Sequence, residues 1–283
     1  MFGKLMKYDL RCCFRRFGAL WIAILALGLL NGILMHGVFG SLSERGGLLG
    51  GLISGLPPVA LFAVLVATAV LAFIFVCERF YNGLLGDEGY LMFTLPASVN
   101  EHIGAKTLTS LILWVISFFV AIGSGILFLL VYQPGELLYA LRRLPEALSQ
   151  IKLPVSVPLL MIEILVLLLV GIVKEILKIY AAISVGHLLG GRSKLIAILA
   201  YLAISVLENV LATFGIGGAH SMGLFSMLEE GNIGVQYVDD VWMIEGLGPV
   251  AGIIGITILC TAVLCVVYFL ISKVILSRNL NLE

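Results

Sequence analysis

The chain has 283 residues, of which 61% are hydrophobic and only 12% are charged, and its formal net charge is zero. Soluble domains are usually about half apolar and about a quarter charged. A water-soluble chain with so few charges could not cover its own surface with polar groups. The composition therefore excludes an ordinary soluble domain and predicts that lipid is the solvent for much of the protein.

Six apolar stretches are long enough to cross a hydrocarbon core about 30 Å thick, which requires about 20 apolar residues in a helix. The predicted spans are residues 17–39, 56–77, 105–132, 155–180, 194–214 and 248–272. Glycine and proline turns separate them, for example Gly86-Asp87-Glu88-Gly89 and Pro134-Gly135. The predicted fold class is therefore all-α, a single polytopic transmembrane domain over residues 1–283 with six transmembrane helices.

Lysine and arginine are distributed unevenly between the two sides of this topology. An even number of spans puts both termini on the same side, and that side carries thirteen of the basic residues. The other side carries four, which are Arg45, Arg142, Arg143 and Lys152. The positive-inside rule places the more basic side in the cytosol, so both termini are predicted to be cytosolic.

Residues 1–16 have the pattern of an amphipathic helix. Apolar side chains recur on one face at three- and four-residue spacing, and this face continues into the first span: Phe2, Leu5, Met6, Leu10, Cys13, Phe14 and Phe17. Bases recur on another face: Lys4, Lys7, Arg11 and Arg15. We expect an interfacial helix among the headgroups of the cytosolic leaflet that then bends into the first span, with a frayed basic tail as the alternative.

Two segments on the far side are longer than simple turns. Residues 133–154 place leucines at heptad-like spacing, which predicts a short extracytosolic helix that rests on the outer leaflet. Residues 215–247 combine glycine, two large apolar residues and several acids. This second segment is predicted to form an extracytosolic cap before the sixth span.

Residues 78–104, between spans two and three, form a predicted cytosolic loop that combines charge, glycine and aromatic residues. From Glu78 to Pro96 the sequence reads ERFYNGLLGDEGYLMFTLP. An apolar patch on a water-facing loop usually marks a binding surface, although an ordinary solvated turn is the alternative. Ser98 and Glu101 have the spacing of a capping box, which predicts the start of the next helix.

The run from Gly86 to Pro96, followed by Lys106 at the start of a span, resembles the ABC-2 type ABC-transporter permeases. The basic N-terminal helix, the six spans and the cytosolic termini are similar to that family too. The resemblance implies a second permease chain, in a homo- or heterodimer, and a separate ABC ATPase subunit that would carry ATP and Mg. It also implies an ATPase-coupling loop with these candidate residues: Glu78, Arg79, Asp87, Glu88, Tyr90, Leu91, Phe93, Leu95 and Pro96.

Several polar residues lie inside the predicted spans and are candidates for lining a translocation path: Asn31, Glu163, Glu208 and Asn209. A carboxylate at mid-bilayer costs about 2.5–3.5 kcal/mol on insertion scales, so these side chains are expected to face protein or a wet cavity. Interhelical hydrogen bonds or a protonated acid would explain them equally well. The charges at the cytosolic end of span four, Lys174, Glu175 and Lys178, are interpreted as a local ion pair with lysines that reach toward the headgroups.

The sequence has no recognisable catalytic or metal-binding constellation. Residues 190–194 lack the spacing of a phosphate-binding loop, the four histidines are scattered, and the five cysteines include no CxxC pair. We therefore expect no enzyme activity, no cofactor, no metal and no nucleic-acid partner for this chain.

Three functions from different classes are compatible with these residues. The leading hypothesis is the membrane-spanning subunit of an ABC transporter, an exporter in a bacterial plasma membrane that is driven by ATP hydrolysis in its partner. The second is an ion-coupled secondary carrier that uses Glu163 and Glu208. The third is a non-transporting immunity or sensory protein that binds a peptide on its outer cap.

Overall fold

The computed structural model describes residues 2–36, 47–85, 98–152, 156–188, 193–221, 234–238, 241–245 and 248–278. Five segments in this part of the chain are helical, long and apolar enough to cross a membrane: Phe2–Leu34, Pro58–Leu84, Val99–Tyr132, Leu195–Gly215 and Val250–Ser277. The predicted helical class is confirmed at this level, because these segments are compatible with a multi-pass helical membrane protein.

The described residues form seven α-helices, a π-helical turn at Tyr81–Leu85 and three short strands. The helices are α1 (Phe2–Leu34), α2 (Gly47–Phe80), α3 (Val99–Tyr132), α4 (Pro134–Gln150), α5 (Ser156–Leu188), α6 (Ser193–Ser221) and α7 (Gly248–Arg278). The strands are β1 (Ile151–Lys152), β2 (Gly234–Val238) and β3 (Val241–Glu245). Helix α4 lies where the leucine spacing predicts a short helix.

The chain divides into two compact units. The first unit comprises Met1–Arg79 and Gly104–Pro145, and the second comprises Phe80–Ile103 and Glu146–Glu283. The first unit therefore contains α1, most of α2 and most of α3, and the second contains α5, α6 and α7.

In the first unit, α1 is one continuous helix whose buried residues form a single stripe: Asp9, Cys13, Phe17, Trp21, Ile24, Gly28, Asn31 and Gly32. Their spacing of three and four residues places them on one face. Ala72 and Phe75 of α2 and Leu113 of α3 pack against this stripe in one hydrophobic cluster. The amphipathic pattern predicts two segments joined by a bend, whereas residues 2–16 continue the helix and the packed face of the first span.

Two glycines let the backbones of α1 and α3 touch. A Cβ atom at Gly28 would lie 2.5 Å from the carbonyl oxygen of Ser124, and one at Gly32 would lie 2.8 Å from Cβ of Val131. No side chain fits at either separation, so only glycine permits this approach. The Gly-x-x-x-Gly spacing in α1 therefore serves packing within the chain.

In the second unit, α5 is the central helix. Every side chain from Ile176 to Ser184 is buried, because α5 packs against both α6 and α7. Phe80 stacks on Tyr180 with ring centroids 4.0 Å apart. A Cβ atom at Gly186 would lie 2.7 Å from Cβ of Ala197, so α5 and α6 also approach at backbone contact.

A small sheet follows the strand order β1-β3-β2. Strands β2 and β3 pair antiparallel, from Gly234 opposite Glu245 to Val238 opposite Val241, and β1 pairs parallel with β3. Strands β2 and β3 fall in the predicted cap of residues 215–247, for which the sequence predicted no strand. Helix α6 also continues through Ser221, beyond the predicted end of span five at residue 214.

Candidate functional site

The predicted coupling loop is helical at both of its ends. Helix α2 continues to Phe80, the π-helical turn follows, and α3 begins at Val99. The predicted capping box is confirmed, since the Ser98 backbone N–H donates to Oε2 of Glu101 at 2.9 Å and the Glu101 N–H donates to Oγ of Ser98 at 3.4 Å. The remaining candidates lie outside the described residues: Asp87, Glu88, Tyr90, Leu91, Phe93, Leu95 and Pro96.

The two coupling candidates that the structure describes, Glu78 and Arg79, differ in their surroundings. Glu78 is exposed and its carboxylate lies 3.6 Å from the guanidinium of Arg16. The guanidinium of Arg79 is partly buried and donates to the carboxylate of Asp9, whose residue is only 3% exposed. Arg79 therefore pairs within the chain, in the first unit.

Lys106 extends this pair to a third helix. Its residue is 3% exposed, and its ammonium donates to the backbone carbonyl oxygen of Arg79 at 3.0 Å. We call Asp9, Arg79 and Lys106 the anchor cluster. It joins α1, α2 and α3 and includes one residue on each side of residues 86–97.

The burial of the anchor cluster makes it costly to break. Removing one partner from a buried ion pair costs about 3–5 kcal/mol because the other charge is left without compensation. The side chains of Asp9 and Arg79 are 5% and 23% exposed, so water contributes little to their solvation. A displacement of α2 at Arg79 must therefore carry α1 and α3 with it or break the cluster.

The second unit holds a larger group of charges, which we call the ion network. It consists of Lys174, Glu175 and Lys178 of α5, Tyr201 and Glu208 of α6, and Tyr268 of α7. The Lys178 ammonium donates to Oε2 of Glu208 at 2.8 Å and lies 2.8 Å from Oε2 of Glu175. The hydroxyl of Tyr268 donates to Oε1 of Glu208 at 2.7 Å, so Glu208 joins all three helices.

Lys174, Glu175 and Tyr201 make the remaining contacts of the network, and its charges balance. The Lys174 ammonium lies 2.9 Å from Oε1 of Glu175 and 3.5 Å from Oε1 of Glu208. The hydroxyl of Tyr201 donates to Oε2 of Glu175 at 3.4 Å, and its ring lies 5.1 Å from the Lys178 ammonium. Two lysines and two glutamates give a neutral group, which is how ionised side chains are tolerated among apolar helices.

This arrangement changes the interpretation of the charges on α5. The sequence analysis treats Lys174, Glu175 and Lys178 as a local group at the end of a span. Helix α5 continues to Leu188, so Lys178 lies about 15 Å before the end of the helix at 1.5 Å per residue. The two lysines extend to Glu208 of α6 and are not directed only toward the headgroups.

The other path candidates are not brought together. Asn31 is buried beside Gly28 and Gly32, and its Nδ2 has no hydrogen-bond partner among the described residues. Oε2 of Glu163 is buried and likewise lacks a partner in that part of the chain. Asn209 is exposed and donates to the carbonyl oxygen of Ser205. Glu163 and Glu208, which the carrier hypothesis uses together, do not contact each other: the described partners of Glu208 are two lysines and a tyrosine.

Sequence reasoning missed Asp9, Tyr201 and Tyr268. Asp9 could have been predicted from its position, because it is the first acid of the chain and lies four residues before Cys13, on the packed face of α1. The two tyrosines could not be predicted in this way, since tyrosine is common at the ends of apolar helices. Among the described residues, no group of three or more His, Cys, Asp or Glu side chains could hold a metal ion.

Comparison of the chain with protein-family models, with curated proteins and with solved structures found no match.

Proposed function

We propose that this chain is the membrane-spanning permease subunit of an ABC transporter of the ABC-2 type, an exporter in a bacterial plasma membrane. The observation that carries the proposal is the position of the anchor cluster on both sides of residues 86–97, which contain the motif that resembles the family. A motor that acts on those residues would act on α2 and α3 together, and through Asp9 on α1.

The topology of the proposal has six spans with both termini in the cytosol. The fourth span is α5, which is not among the five long apolar segments given above; it has 33 residues and four Glu or Lys side chains: Glu163, Lys174, Glu175 and Lys178. Its charged side chains lie in the neutral ion network or, for Glu163, are partly buried. A central helix of this kind can cross the membrane because its neighbours shield its charges.

Helix α1 is longer than the hydrocarbon core. Its 33 residues extend about 50 Å at 1.5 Å per residue, against about 30 Å for the core. The bases of one N-terminal face, Lys4, Lys7, Arg11 and Arg15, are exposed, whereas Asp9 on the opposite face is buried. We propose that this basic face contacts anionic headgroups of the cytosolic leaflet.

In the proposed mechanism, an ABC ATPase subunit binds the apolar and acidic side chains of residues 86–97. ATP and Mg bind to that partner, and its closure moves the loop. The anchor cluster transmits the movement to α1, α2 and α3, and a second permease chain completes the path. The chemistry of ATP hydrolysis thus belongs to the partner, and this chain converts the movement into transport.

The proposal is tested by removing the side chains that would contact the ATPase. The loop variant changes Asp87, Glu88, Tyr90 and Phe93 to alanine in the full chain. We expect this variant to insert into the membrane normally. The ABC ATPase subunit that co-purifies with the wild-type chain should be absent from its preparation, and so should Mg-ATP hydrolysis. The wild-type preparation is made from native membranes, with the co-purified subunit identified by its sequence.

A matched control variant replaces Glu136 and Tyr139 of α4 with alanine, because these residues are also an acid and an aromatic on an exposed helix. The control is expected to retain the ATPase at the wild-type ratio. If the loop variant retains it as well, residues 86–97 do not dock a motor and the proposal fails.

An ion-coupled carrier is the second candidate, and one observation favours it. The buried Oε2 of Glu163 lacks a hydrogen-bond partner among the described residues, which is the environment in which a proton or cation is held. Transport into vesicles by the purified chain without ATP, lost in Glu163→Gln, would support the carrier and contradict the permease.

A further inference from the structure

The ion network of the second unit has an inner pair and an outer pair. The inner pair is Lys178 and Glu208, whose side chains are 5% and 14% exposed and whose charged atoms are 2.8 Å apart. The outer pair is Lys174 and Glu175, whose side chains are 20% and 45% exposed and whose charged atoms are 2.9 Å apart. The exposed fraction of the side chain thus increases from Lys178 to Glu175, and Glu175 is the charged side chain through which the network is accessible from outside the protein.

The inner pair is sufficient to join the helices. Lys178 belongs to α5, Glu208 to α6, and Tyr268 of α7 donates to the same carboxylate. This set is neutral without Lys174 and Glu175. The outer pair therefore adds two more charges, which also have a cost of insertion into lipid. The packing of the three helices does not require these charges.

Glu175 occupies a position suited to an external anion. Both lysine ammonium groups lie within 3.1 Å of its carboxylate, and the hydroxyl of Tyr201 donates to it. Two ammonium groups and a hydroxyl around one carboxylate are the donors that recognise a carboxylate or a phosphate. Glu175 is also the most exposed of the four charged side chains, so it can rotate outward without disturbing Glu208.

We propose that Glu175 occupies the place of an anionic headgroup, and that Lys174 and Lys178 bind the carboxylate or phosphate of a membrane amphiphile when Glu175 rotates outward. The exchange keeps the network neutral, because one anion replaces another. The inference does not depend on the proposed permease function, since the site lies wholly within this chain.

The surroundings of the site favour an amphiphile over a small hydrophilic anion. Leu168 lies two helical turns before Glu175 on the same face of α5 and is exposed. Leu202 and Val206 of α6 are exposed as well. An alkyl chain would cover these apolar side chains while its headgroup reaches the lysines.

The test measures binding of dodecanoate and of dodecyl phosphate to the purified full chain in a neutral maltoside detergent, with dodecanol as the uncharged probe. Glu175→Gln removes the resident anion and leaves the two lysines facing one carboxylate. We expect this variant to bind at least one of the two anions about tenfold more tightly than the wild-type chain, as expected for one additional charge-assisted hydrogen bond. Its affinity for dodecanol is expected to stay within about twofold of the wild-type value.

Two further variants keep the test decisive. The double variant Glu175→Gln with Lys174→Gln retains the neutral inner pair, so it is expected to fold and to lose the gain in affinity. Lys273→Gln removes a lysine of α7 that forms no ion pair with another described residue, and it is expected to leave affinity unchanged. The proposal is overturned if Glu175→Gln binds neither anion more tightly, if the double variant keeps the gain, or if Lys273→Gln combined with Glu175→Gln loses the gain as the double variant does.

Discussion

The anchor cluster of the first unit and the ion network of the second both hold charged side chains among apolar helices. They differ in how many oppositely charged partners each acid has. In the anchor cluster, Asp9 faces one guanidinium, and Lys106 binds a backbone carbonyl oxygen. In the ion network, each glutamate contacts both lysines. Loss of Asp9 leaves the partly buried Arg79 guanidinium without the carboxylate that faces it, whereas loss of one charge from a network of four leaves contacts that can be redistributed.

The difference fits the roles proposed for the two units. A buried cluster that joins three helices transmits a displacement of one helix to the others, which suits the base of a coupling loop. A redundant network tolerates the exchange of one charge for another, which suits the binding of an external anion at Glu175. The two units therefore differ in how they respond to perturbation, and this can be measured.

The largest expected effect is the loss of the acid in the anchor cluster. Asp9→Leu leaves the Arg79 guanidinium without its carboxylate and is expected to lower the free energy of unfolding by about 3–5 kcal/mol. Lys178→Met is expected to cost less, about half as much, because Lys174 already lies near Glu208. The measurement is unfolding of the purified chain by sodium dodecyl sulfate in mixed micelles.

Two controls accompany this prediction. The double variant Asp9→Leu with Arg79→Met removes both charges and is expected to recover most of the lost stability, since two apolar side chains can replace a buried pair. Arg16→Met breaks the exposed pair with Glu78 and is expected to change stability by less than about 1 kcal/mol. Equal losses for Asp9→Leu and Lys178→Met would remove the proposed contrast between the units.

The next largest effect concerns the close contacts between helices. Gly28→Ala would place Cβ 2.5 Å from the Ser124 carbonyl oxygen, and Gly186→Ala would place it 2.7 Å from Ala197. Because backbone atoms stand in the way, each variant is expected to lose about 1–3 kcal/mol in the same unfolding measurement.

Matched glycines supply the controls for this prediction. A Cβ atom at Gly125 or at Gly252 would meet nothing within 4 Å. Alanine at these positions is expected to keep stability unchanged or to raise it by up to about 1 kcal/mol, since alanine favours a helix over glycine. Should Gly28→Ala behave like Gly125→Ala, then α1 and α3 are not in backbone contact.

Hydropathy predicted the helices well because apolar runs of about 20 residues have few alternatives to a helix in lipid. It did not predict where the helices end. Helix α2 continues past the predicted boundary at residue 77 to Phe80, and there Arg79 pairs with Asp9. Hydropathy identifies the stretch of chain that crosses the hydrocarbon core. The helical turn beyond that stretch is stabilised by contacts with other helices, which a local stretch of sequence does not reveal.

Polar contacts between residues close in the sequence were predictable, whereas those between residues far apart in the sequence were not. The capping box of Ser98 and Glu101 follows from residues three apart and was predicted. The bond from Lys178 to Glu208 joins residues thirty positions apart, and many pairings of the chain's charges would satisfy the same pattern. The strands β2 and β3 were missed for a similar reason, because five-residue strands are defined by their pairing partner.

The smallest expected effect compares one hydrogen bond from each unit. Tyr268→Phe removes a hydroxyl that donates to the charged Glu208 at 2.7 Å, and Ser117→Ala removes a hydroxyl that accepts from the Trp21 indole N–H at 3.1 Å. Bonds between helices in membranes average about 0.6 kcal/mol, and a charged acceptor roughly doubles the strength of a bond. We therefore expect Tyr268→Phe to lower the free energy of unfolding by about 1.2 kcal/mol and Ser117→Ala by about 0.6 kcal/mol. If the tyrosine variant costs no more than the serine variant, Glu208 does not depend on Tyr268, and the three-helix junction is held by the lysines alone.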